Sequence, residues 1–148
     1  MGFRRFTAFS LVCFAAATFC ADVGARVLVA GQTLGQAGAE HVQFAIEAPD
    51  ATMLLLAPFL ILPLISAVLE RYADRRSASI HFAVVALALV GLYAAGHFEA
   101  QEALLAEKWT AAALAIGLLP FLAFPILLLA VVAGFVIARV RRPAPSPH

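Results

Sequence analysis

Apolar positions gather into four long runs, 6–30, 51–69, 79–96 and 111–138, and most charged residues fall between them. Each run is close to or above the roughly 17 to 25 residues that a helix needs to cross a bilayer core. The pattern predicts an all-α, polytopic membrane protein with four transmembrane helices in an antiparallel bundle. Residues 1–141 then form one membrane domain, and the proline-rich stretch 142–148 reads as a disordered cytoplasmic tail. The last run, 28 positions long, would measure about 42 Å as an unbroken helix, so it has to tilt, bend or protrude. Composition agrees, with 64% hydrophobic and only 13% charged residues against the roughly 45 to 50% apolar content of soluble domains.

Charge sets the expected orientation, because Lys and Arg are retained on the cytoplasmic side during insertion. Arg4 and Arg5 precede the first run; Arg71, Arg75 and Arg76 lie between the second and third; Arg139, Arg141 and Arg142 follow the fourth. The other two loops carry Glu40, Glu47 and Asp50, then Glu99, Glu102 and Glu107, with Lys108 as their only basic residue. Eight basic residues less Glu70 and Asp74 give +6 on one side, and seven acidic against two basic residues give −5 on the other. Both termini are therefore expected in the cytoplasm, in an inner (plasma) membrane. This separation leaves no unbalanced basic face for nucleic acid. Residues 1–25 also have features of a cleavable signal peptide, with Val23-Gly24-Ala25 as the small-residue site, but apolar character resumes at Val27 and favours a retained span.

Two segments are alike: Pro58 to Pro63 reads PFLILP and Pro120 to Pro125 reads PFLAFP, while the pairs Arg4-Arg5 and Arg75-Arg76 open the first and third runs. A repeated helical hairpin accounts for both, with offsets of 71 and 62 that differ in the outer loops, where length changes are tolerated. Pro58, Pro63, Pro120 and Pro125 are predicted helix breaks, because each lacks the N–H owed to the carbonyl four residues back. The carbonyls concerned belong to Leu54, Phe59, Ile116 and Phe121. Such groups are re-satisfied by neighbouring helices or water in many membrane helices, and in some transporters they meet ions. Their apolar flanks favour the first role here.

Small residues recur every four positions at Cys13, Ala17, Ala21 and Ala25, at Gly91 and Ala95, and at Ala130, Gly134 and Ala138. This spacing lets helices approach closely in lipid. Tyr72, Phe98 and Trp109 fall at span edges, as interfacial aromatics do.

Groups with chemistry are few. Asp22 and Arg26 stand four apart inside the first span, where an ionisable residue is costly and where the spacing lets the two meet as an ion pair or a substrate contact. His41, His97 and Glu99 are the weak candidates for a metal or haem site at the outer face, and their spacing matches no established metal pattern. His81 stands alone in the third span, in a packing role. Cys13 and Cys20 are about 10 Å apart along one helix, too far for a disulfide. Catalytic triad order, phosphate loops and nucleotide motifs are not found, so an enzyme is not expected, and no cofactor is implied. The expected function is a non-enzymatic subunit, assembly factor or scaffold acting through helix contacts in the lipid bilayer with a membrane-protein partner or as a homo-oligomer. The alternatives are a small oligomeric transporter or channel using the proline-interrupted helices, and an outer-face metal or haem binder.

Overall fold

The computed structural model describes residues 2–140; Met1, Arg141 and the predicted tail 142–148 lie outside the described residues. The four predicted spans are present as helices over Gly2–Leu28, Pro49–Tyr72, Arg75–Leu105 and Trp109–Val140. The protein is a multi-pass helical membrane bundle. Span one comprises α1 (Gly2–Ala15), a π-helical turn (Ala16–Cys20) and α2 (Ala21–Leu28). Then come α3 (Leu34–Glu47), α4 (Pro49–Tyr72), α5 (Arg75–Leu105), α6 (Trp109–Gly117) and α7 (Leu119–Val140).

Local sequence sets the ends. After α2 the chain turns through Gly31, whose φ of 68° suits a residue without Cβ. Thr33 then caps α3 reciprocally with Gln36: its hydroxyl accepts from the Gln36 N–H at 3.3 Å, while the Gln36 side chain accepts from the Thr33 N–H at 3.2 Å. Pro49 opens α4, where a missing N–H costs nothing. Asp50 lies in the first turn of α4 with no capping bond, where its charge suits the helix dipole. Asp74 caps α5, accepting from the Ser77 N–H at 2.8 Å. The third span continues as helix to Leu105, well past the apolar run's end at 96.

The core centres on Phe59, which meets Phe14 at 5.5 Å and Tyr93 edge-on at 5.2 Å between ring centroids. Phe6 stacks on Phe82 nearer the arginine-rich end. There Arg5 reaches Glu70 at 3.6 Å and Ser79 at 3.3 Å. Ala17, Ala21, Ala25, Ala130 and Gly134 are buried as the small-residue spacing predicts, whereas Gly91 and Ala95 face outward.

Each hairpin carries a bond from a side chain of its first helix to a backbone carbonyl of its second. Ser10 donates to the carbonyl of Phe59, and His81 Nε2 lies 2.8 Å from the carbonyl of Ala130. Both bonds span 49 residues, and His81 follows Ser10 by the same 71 positions that separate the arginine pairs. The acceptors Phe59 and Ala130 also stand 71 apart, not the 62 of the proline motifs, and elsewhere the two hairpins differ. Span one contains the π turn, and span four is interrupted at Leu118.

The prolines behave unequally. Pro58 and Pro63 are buried inside α4, which runs through both without interruption, so they are not breaks. Pro125 is likewise inside α7. Only Pro120 coincides with a break, standing one residue into α7 just after the interruption, where its missing N–H fits a helix start.

Candidate functional site

The π turn decides where Asp22 points. At about 100° per residue, an unbroken α-helix would put Asp22 about 160° round from the buried Phe6. A π turn adds one residue without adding rotation, which brings Asp22 back to about 60°. Its side chain is accordingly inside the bundle, only 8% exposed.

Three cationic or imidazole side chains converge on that carboxylate. Arg26, one turn on, places Nε 3.0 Å from both oxygens. His41, from α3, places Nδ1 3.0 Å from Oδ2. His97, from α5, places Nδ1 3.7 Å from Oδ1. Arg26 also pairs through Nη1 with Glu40, which in turn accepts from the Gln32 amide. The capped start of α3 thus delivers Glu40 and His41 to the end of α2, and α5 supplies the opposite wall.

Beside the cluster lies a cavity of about 670 Å³ at the acidic end of the bundle. Its walls are largely apolar and include Phe14, Phe19, Phe44 and Trp109, with Asp22, Arg26, His41, His97 and Gln101 as the polar side. Phe19 packs edge-on against the His41 ring, with centroids 5.2 Å apart. Gln101, one turn beyond His97, is buried at the wall. Nε2 of His97 is buried without a hydrogen-bond partner, a condition that native structures seldom leave unexplained.

The sequence pairing of Asp22 with Arg26 is present, and His41 and His97 do come together. They meet on Asp22, however. With both Nδ1 atoms turned to one carboxylate, the two Nε2 atoms point away from it. Among the described residues no group of three or more His, Cys, Asp or Glu is placed to hold a metal ion, and Glu99 is exposed outside the cluster. The Phe59 carbonyl that Pro63 deprives of its N–H is taken by Ser10, and Tyr93 donates at 2.7 Å to Leu55, next to the carbonyl affected by Pro58. Side chains of neighbouring helices thus reach the carbonyls of Phe59 and Leu55. Cys13 and Cys20 are free thiols.

Sequence reasoning missed the π turn, Glu40 as a partner of Arg26, and Gln101. Only Gln101 carried a signal, its i+4 relation to His97 on one helical face. Fold and site together define a four-span helical membrane protein with a buried carboxylate, imidazole and guanidinium cluster against an apolar cavity. No family model, characterised protein or solved structure matches the chain.

Proposed function

We propose that this protein is a non-catalytic membrane component that binds a neutral amphipathic small molecule in the cavity at its acidic end, from the outer leaflet of the membrane. The observation that supports this reading is the union of a 670 Å³ apolar, aromatic-walled cavity with a compact polar group at one side. That size falls within the roughly 300 to 1,000 Å³ of small-molecule sites, which are typically apolar with a few placed polar groups. Neutrality of the ligand follows from the charges. Arg26 is engaged by Asp22 and Glu40, and Asp22 by Arg26 and two imidazoles, so neither charge is free to pair with an ionic ligand.

Trp109 is the sole tryptophan and lines the cavity, which provides an internal reporter. In lipid nanodiscs, a brominated alkylphenol and its methyl ether are expected to quench Trp109 saturably. Ala113→Phe, which fills the cavity from α6, is expected to abolish that saturation. Quenching that rises linearly with probe and ignores Ala113→Phe would contradict the proposal.

A second reading, a subunit acting through helix contacts, draws support from Gly91 and Ala95. They form an outward-facing pair of small residues on α5, and the space around Gly91 is open. Its test is stoichiometric co-purification of a membrane partner in mild detergent, lost on Gly91→Leu.

A further inference from the structure

At the end of the bundle opposite the cavity, α1 and α5 part to leave a groove of about 430 Å³ that opens sideways to the membrane. We propose that it holds one acyl chain of an anionic glycerophospholipid from the leaflet on the arginine-rich side, with the lipid phosphate between Arg5 and Arg76.

The groove suits such a chain in form and length. Phe6 and Phe82 meet beneath it, with ring centroids 5.2 Å apart, while the exposed Phe9 and Leu87 form its rims. From Ser79 to Val90 it follows α5 for about 16 Å at 1.5 Å per residue, close to one leaflet's half of the roughly 30 Å hydrocarbon core.

Arg5 and Ser79 close the groove at its polar end. The Arg5 guanidinium lies over the Phe6 ring, 4.8 Å from its centroid, and its contacts with Ser79 at 3.3 Å and Glu70 at 3.6 Å both run through Nη2. Donors on Nε and Nη1 remain for a phosphate oxygen, because a guanidinium donates from every nitrogen. Arg76 is exposed and stands one turn before Ser79, on the same face of α5 as Ala83 and Val90.

Charge selects the lipid. Among the described residues the arginine-rich end carries Arg4, Arg5, Arg71, Arg75, Arg76 and Arg139 against Glu70 and Asp74. It therefore attracts a phosphodiester and repels the ammonium of a zwitterionic headgroup, as basic pockets between membrane helices do. A second copy of this chain in the same orientation is a poorer occupant, since it would set the same arginines against one another at one depth.

The test titrates the full chain in detergent with phosphatidylglycerol and with phosphatidylcholine of identical chains, and counts bound lipid by native mass spectrometry. Phosphatidylglycerol is expected to bind at least about fivefold more tightly, the scale of one arginine beside an anionic lipid. Arg76→Gln is expected to reduce that preference about threefold or more. Arg4→Gln removes the same charge from the face of α1 turned away from the groove and is expected to leave the preference unchanged. Ala83→Phe, which fills the groove from an exposed position, is expected to abolish tight binding. Equal binding of the two lipids, equal effects of Arg4→Gln and Arg76→Gln, or indifference to Ala83→Phe overturns the proposal. The cavity reading stands or falls separately, by the quenching of Trp109.

Discussion

The Ser10 hydroxyl donates to the carbonyl of Phe59, the group left without its usual helical partner because Pro63 has no N–H. A proline on one helix has thereby created the acceptor for the helix beside it. Ser10→Ala is expected to destabilise the bundle by about 1 kcal/mol, the scale of hydrogen bonds between membrane helices. In a Pro63→Ala background the new N–H serves Phe59, and the same substitution is expected to cost much less. Unfolding of the four variants as a double-mutant cycle measures the coupling, and strict additivity would count against it.

Asp22 and Arg26 are expected to be strongly coupled. Removing one partner of a buried pair typically costs 3 to 5 kcal/mol, more than replacing both with apolar residues. Asp22→Leu is therefore expected to destabilise by about 3 kcal/mol, and Asp22→Leu combined with Arg26→Met by less. Thermal unfolding in one lipid composition checks the order, which a double variant weaker than the single one would reverse.

The two glycines of the third span should respond differently. A Cβ on Gly96 would lie 2.6 Å from Leu119 Cδ2 and 3.1 Å from the backbone carbonyl of Ala115, while one on Gly91 meets nothing within 4 Å. Gly96→Ala is expected to cost about 1 to 3 kcal/mol, as overpacking does. Gly91→Ala is expected to stay near neutral or to gain slightly from helix propensity. Equal melting temperatures for the two variants would argue that α5 and α6 do not approach as described.

Deleting Ala16 should convert the π turn to regular α-helix and leave everything beyond it on span one facing as before, because the turn takes up one residue without adding rotation. Asp22 would then still meet His41 and His97. The expected result is saturable Trp109 quenching retained, with helicity unchanged by circular dichroism. Loss of binding in a folded variant would mean that the turn does not set the direction of Asp22.

Much of this architecture was legible in the sequence because hydropathy and the positions of arginine act over whole segments. The four runs locate the spans, and the polar Glu99, Gln101 and Glu102 explain why the third run ends at 96 while α5 continues to Leu105. Hydropathy senses the oily stretch, not the helix end. The i,i+4 relation of Asp22 and Arg26 is likewise a local property. What brings His41 and His97 to the same carboxylate is not local, since it depends on α3 folding back onto α2 and on the rotation introduced by the π turn. No residue type announces that turn: Ala16-Ala17-Thr18-Phe19-Cys20 is ordinary span sequence. The unbroken course of α4 through Pro58 and Pro63 has the same origin, because Ser10 lies far away in sequence and supplies what the helix lacks.

The join between α4 and α5 is only Ala73 and Asp74, and each hairpin already holds its own helices together through Ser10 or His81. Asp22, Arg26 and His41 belong to the first hairpin; His97 and Gln101 belong to the second. A gene divided at this join would yield two polypeptides that each insert as a hairpin but own half a site, so ligand binding would become a direct readout of their reunion in the bilayer.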